Sequence, residues 1–225
     1  VRLSDGKLLR AFLDHTTPIV GSPTAFNTFA GTQVSRVFVG DLEGRLLRID
    51  TSNTDPDEWT LEVAFDPMKP GALRFPNGTK PEAIYTKPAV ARARSGELVV
   101  VFGNGDLDNL TSYGQDGNFV ASISERVEYD AGAGDVDVVL DVNWFVNFSN
   151  APYTKGEKLT GDPVIFDQVA YFSSYVPGNA ACDFGHGRVH ALHFTDTTAG
   201  APKPGIDLDK NGSLDRYLDF ANLQR

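Results

Sequence analysis

A pattern that comes round three times constrains this chain more than any other feature. A small or polar residue, a proline and then Thr, Ala or Val stand at Ser22-Pro23-Thr24, Lys87-Pro88-Ala89 and Asp162-Pro163-Val164. After each comes a strand-like run rich in Val with Phe or Tyr, and then a turn of Gly with Asp or Asn. Self-similarity of this kind, with enough strands for a four-stranded unit each time, predicts an all-β chain of β-propeller-like repeats, each a four-stranded antiparallel blade. The blades are expected over residues 14–82, 83–158 and 159–225, so that 1–225 is part of one propeller domain. The anchors lie further apart than the ~40–50 residues of a tight blade, which puts insertions between strands. Three blades fall short of the ~4–8 that close a ring, so the expectation is an incomplete ring, a piece of a larger propeller.

Strand by strand, residues 8–13, 34–40 and 45–50 read as extended. Residues 59–65 follow with period-two alternation of Trp59, Leu61, Val63 and Phe65. The run 97–103 is almost continuously apolar, as in a strand buried on both faces. Residues 119–128 and 136–148 flank a Gly/Asp turn, and 164–165, 168–175, 187–194 and 217–220 complete the third cycle. No stretch shows capped helical periodicity.

The strongest chemical signal is Asp207-Leu208-Asp209-Lys210-Asn211-Gly212-Ser213-Leu214-Asp215. Oxygen-bearing side chains at alternate positions with glycine at the sixth match a calcium loop, in which alternate residues turn onto one hard cation. Asp207, Asp209 and Asn211 would coordinate through side chains, Ser213 through its carbonyl, and Asp215 directly or through water. Position twelve is Leu218 where a helix-loop-helix site has Glu, and Pro202 and Pro204 precede the loop. The expectation is therefore a free-standing Ca²⁺ loop.

Charge narrows the partners. A formal net charge of −10 argues against nucleic acid, whose phosphates need a basic surface. Cys182 is the single cysteine, so no internal disulfide and no thiolate zinc site can form. No apolar run reaches the ~18 residues that span a membrane. An opening at Val1-Arg2-Leu3 without Met or signal peptide reads as the middle of a longer protein.

Three stretches resemble the C-terminal propeller of the PilY family of type IV pilus tip-associated adhesins and biogenesis factors. Residues 37–50, with Gly40-Asp41-Leu42-Glu43-Gly44 at the turn, are similar to that family's recurring Gly-Asp blade. Residues 100–107, with Gly103-Asn104-Gly105, resemble its Gly-Thr-Gly element, Asn104 replacing Thr. Residues 170–177 and 182–192 resemble its third blade, with His186 and His190 where Gly and Tyr are frequent. The resemblance implies a calcium-binding region in pilus biogenesis and surface adhesion. It also implies a protein of the cell surface or pilus tip, outer-membrane associated after passing through the periplasm. Its partners would be minor and major pilins or other tip subunits, and host or surface ligands. It further implies a calcium loop, which residues 207, 209, 211, 213 and 215 match position by position.

Other constellations weigh less. His190 and His193 are an odd number apart and face opposite sides of a strand, so with His186 they read as ordinary residues. Asn104, Asp106 and Asp108 offer oxygens for a second cation site but too few for calcium. No Gly-x-Ser-x-Gly element is present, and the expected role is not enzymatic. A quinone-dependent dehydrogenase is the catalytic alternative; a structural or carbohydrate-binding propeller, with calcium as a staple, is the other. Trp59 and Trp144 lie in expected strands, where packing is their ordinary role.

Overall fold

Period-two chemistry and Gly-rich turns resolve into three antiparallel sheets in the computed structural model, with no α-helix among the described residues. The structure describes residues 2, 4–28, 34–69, 75, 79–105, 107–111, 117–130, 135–180 and 182–220. Sheet one is β1 (Thr24–Phe26), β2 (Arg36–Gly40), β3 (Leu46–Asp50) and β4 (Thr60–Phe65), in that order. Sheet two is β5 (Ala89–Arg92), β6 (Leu98–Gly103), β7 (Phe119–Asp130) and β8 (Asp135–Asn147). Sheet three has six strands: β9 (Lys158–Leu159), β10 (Val164–Phe166), β11 (Val169–Val176), β12 (His186–Thr198), β13 (Ala201–Pro204) and β14 (Tyr217–Asp219).

The propeller expectation is corrected here. Sheets of four, four and six strands are not a set of four-stranded blades, and they do not form a ring. The physical reason lies partly in strand length. β11 and β12 are longer than the strands beside them, so two short strands tile each outer edge: β10 and β9 along β11, β13 and β14 along β12. The packing is also linear. Leu98, Val100 and Phe102 of β6 join Phe38, Leu46 and Phe65 of sheet one in one core, while Val99 and Val101 join Phe172, Leu192 and Phe194 of sheet three in another. Sheet two is thus buried on both faces, as the apolar run 97–103 requires.

Two further expectations change. Residues 8–13 form no strand. The alternation of β4 breaks where the register shifts between Leu46↔Phe65 and Leu47↔Val63, which skips Ala64; Phe65 is buried and Val63 faces solvent. Sheets one and two are also joined by charge. Glu125 of β7 accepts from Arg36 Nε at 2.7 Å and from Arg48 Nε at 2.6 Å, all three side chains being buried. Burial works against the Arg48 charge, but Glu125, Glu62 and Asp50 outweigh it and hold its pKa above the ordinary value.

Candidate metal centre

The acidic loop interrupts an edge strand. β13 and β14 both run antiparallel to β12, and the chain leaves that edge between them. Ala191 of β12 holds both ends of the excursion: Gly205 N donates to its carbonyl at 2.8 Å, and its own N–H donates to Arg216 O at 3.1 Å. An Ile206↔Asp215 bridge closes the neck, with Asp215 N donating to Ile206 O at 2.8 Å.

Inside the loop, short acidic side chains turn back onto the backbone, the ordinary behaviour of Asp and Asn in turns. Asp207 accepts from Asn211 N at 3.1 Å and Gly212 N at 2.7 Å. Asp209 accepts from Asn211 N at 3.1 Å and from the Asn211 side-chain amide at 2.9 Å. Asp215 Oδ2 accepts from Leu208 N at 2.9 Å and Asp209 N at 3.4 Å. Gly212 has φ +92°, a left-handed conformation that glycine adopts without a Cβ clash.

The result is convergence of charge. Asp207, Asp209 and Asp215 each present a carboxylate oxygen within 4.8 Å of the others. Hard cations such as calcium and magnesium take oxygen ligands of this kind, calcium at ~2.3–2.6 Å. An all-oxygen set also excludes a zinc-type preference. Asn211 and Ser213 belong to the same loop, with Asn211 Oδ1 accepting from Ser213 N at 2.9 Å. Asp207 and Asp215 are half-buried and Asp209 is exposed.

A second polar cluster, not legible in the sequence, lies under β14. Glu157 accepts from Ser174 Oγ at 2.5 Å and Arg188 Nη1 at 2.7 Å, and lies 3.1 Å from His190 Nε2. Serine, histidine and glutamate together suggest a nucleophilic triad, but the geometry is different. A triad places nucleophile and acid on opposite ring nitrogens, whereas Ser174 Oγ, at 2.7 Å, and Glu157 meet the same His190 Nε2. His190 Nδ1 has no hydrogen-bond partner among the described residues, and Glu157 and His190 are 0 % exposed. Burial pushes the His190 pKa down further than Glu157 pushes it up. Burial alone would raise Glu157, yet the bonds from His190 and Ser174 and the Arg188 charge leave it lowered. The cluster is therefore a neutral imidazole packed flat on Phe172, ring centroids 4.6 Å apart, beside an ionised Glu157–Arg188 pair. Asp219 extends it, accepting from Arg188 Nε and Nη2 at 3.2 Å and lying 2.9 Å from His186.

The remaining candidates are structural. Asn104 Nδ2 donates to Glu82 O and Gly117 O, both at 2.8 Å, while Oδ1 accepts from Phe119 N at 2.7 Å. That buried amide ties the turn after β6 together and is no cation ligand; Asp106 of the same set lies outside the described residues. Asp41 does the same work at the equivalent turn, accepting from Glu43 N, Arg45 N and Arg45 Nε. His193 caps Asp196 N at 3.0 Å, Trp144 is fully buried in sheet two, and Cys182 is free and exposed. Trp59 donates from Nε1 to Asn53 O at 2.8 Å. No described helix is long and apolar enough to cross a membrane.

No family model and no curated protein matches the sequence. Among solved structures, the chain is similar to the crystal structure of the Pseudomonas aeruginosa PilY1 C-terminal domain, with a TM-score of 0.57 and 15% sequence identity. The match covers 92% of this chain and 53% of that one, so the chain spans about half the length of the chain it resembles. At that identity the likeness is one of backbone architecture: this chain has a PilY1-like fold.

Proposed function

We propose that this chain is the calcium-binding region of a type IV pilus-associated surface protein, acting in pilus biogenesis and adhesion by binding rather than by catalysis. The observation that carries the reading is the convergence of Asp207, Asp209 and Asp215 within 4.8 Å, in a loop set between two halves of one edge strand. The PilY1-like fold supports the pilus context, with pilus subunits or a surface ligand as partners and a location outside the cytoplasm. Without a cation the three carboxylates repel one another, and only the bonds to the loop's own backbone and its neck oppose that repulsion. Calcium would neutralise them and order the loop, and that free energy is then available to the edge strand and to whatever docks beside it.

Calcium titration calorimetry on the wild type beside Asp209→Ala tests the reading. Binding in the wild type that is lost in the variant supports it. No heat in the wild type refutes the loop assignment. A purely structural role for calcium also fits the placement of the loop within a strand. In that case calcium removal lowers the melting temperature while binding to pili or surfaces survives.

A further inference from the structure

β7 and β8 run past the end of their own sheet. β6 accompanies β7 from Gly103↔Val120 to Leu98↔Glu125, and the chain before it turns away through Gly96, whose φ is +97°. β7 continues to Asp130, paired only with β8. Residues 126–130 and 135–139 thus form a two-stranded ribbon with no third strand among the described residues. A lone two-stranded ribbon is marginal in water, and an unpaired edge is a template for another strand.

The slot that a longer β6 would occupy is open. It is a groove of about 450 Å³ whose lining includes Leu98 and Val127 and the charged residues Arg36, Arg92, Arg126, Glu97 and Glu125. The ribbon beside it is apolar on one face: Val127 stands opposite Val138 in the register, and Val127 and Tyr129 are 65% and 69% exposed. At an alternate position the register opposes two acids, Glu128↔Asp137, which weakens a hairpin standing alone. Between residues 126 and 141 the sequence carries Glu128, Asp130, Asp135, Asp137 and Asp141 against one cation, Arg126, which is ion-paired to Glu128 and Asp141.

We propose that the free edge of β7 at residues 126–130 is a strand-addition site for an extended segment of a partner polypeptide in which apolar residues alternate with lysine or arginine. The edge supplies the backbone ladder, Val127 and Tyr129 take the apolar side chains, and the acidic positions take the cations. Net charge favours this occupant over a second copy of the chain, which would bring the same excess of acidic residues to the edge. The inference does not depend on calcium.

The probe is a short peptide alternating valine and lysine, with a valine–glutamate peptide of equal length as control. Binding is followed by fluorescence anisotropy at low and physiological salt and by amide hydrogen exchange. The expected result is binding of the lysine peptide alone, weaker at higher salt, with slowed exchange at the edge amides of residues 126–130. Glu128→Lys and Asp137→Lys should each weaken it about fivefold, and Val127→Lys should remove it. Glu128 and Asp137 are exposed and lie beyond the sheet core, so an unchanged unfolding midpoint separates lost binding from lost fold. Equal binding of both peptides, protection confined to other strands, or no binding overturns the proposal. So does concentration-dependent dimerisation abolished by Val127→Lys, which would make a second copy the occupant.

Discussion

Replacing Asp209 by asparagine should move stability in opposite directions with and without calcium. Asp209 contributes to two of the three carboxylate pairs, whose oxygens lie within 4.8 Å of one another. At the widest separation that allows, each pair in water repels by about 0.9 kcal/mol, and screening at ordinary salt leaves about 1 kcal/mol for the two together. Asparagine keeps an oxygen to accept from Asn211 N, the 3.1 Å bond that Asp209 makes, so the turn itself survives. In chelator the variant should therefore melt about 2–4 °C above the wild type. With calcium the order reverses. An ion present at a hundredfold excess over its dissociation constant adds about 2.7 kcal/mol, or roughly 5–11 °C, to the wild type. A loop with one charge fewer should gain less than half of that. Differential scanning calorimetry of both proteins, in chelator and in calcium, reads all four values. Melting curves that stay parallel, with the variant lower in both conditions by the same amount, would mean that the three carboxylates only brace a turn.

The buried charge between sheets one and two makes a larger prediction: Glu125→Leu leaves Arg36 and Arg48 without their shared partner, although Asp50 still faces both. The expected loss is about 3 kcal/mol, read as a fall of roughly 6–12 °C in melting temperature; a change below 1 kcal/mol would show the triad to be dispensable. Gly40→Ala should be comparably damaging, because a Cβ there would lie 2.3 Å from Ile84 Cβ, and urea unfolding measures the loss. The cluster under β14 predicts acid sensitivity. Because the His190 pKa is depressed below 6.5, the unfolded chain binds more protons, so stability is full above 6.5 and falls as pH drops towards the folded value. Glu157, also depressed, adds a second loss below its unfolded value of 4.5. Urea midpoints from pH 7 to 3 should show both losses, the second setting in below 4.5, with His190→Asn removing the first; a flat profile would contradict a buried neutral imidazole.

How much of this was legible depends on whether a residue's neighbours are local in the chain. The acidic loop could be singled out in the sequence because its internal side-chain bonds run among residues 207–215, and an alternating Asp/Asn pattern with glycine describes such a turn without reference to the rest of the fold. The apolar run of β6 was legible for a similar reason, since a strand covered on both faces cannot alternate. The Glu157 cluster was not. Its members come from residues 157, 174, 188, 190 and 219, and only the pairing of β12 with β11 and β14 brings them together. The histidines were visible, but spacing along β12 could not reveal that Glu157 and Asp219 would reach them from other segments.

Recurrence in the sequence also overstated the regularity of the fold. The three lead-in prolines do precede β1, β5 and β10, the first strands of their sheets or close to them, so the repeated unit is real at its start. What recurrence cannot specify is how each unit ends. In sheet two the unit ends in a ribbon that outruns β6, because β7 and β8 keep pairing through Tyr129↔Val136 after their neighbour has turned away. In sheet three it ends in an edge strand broken by a charged loop. Both departures put unpaired or repelling groups at an edge, where a regular strand would have satisfied them. An edge in that state would be stabilised by something added to it, and the proposed additions are a cation at residues 207–215 and a strand at 126–130. The two sites argued above are thus the same physical circumstance met twice.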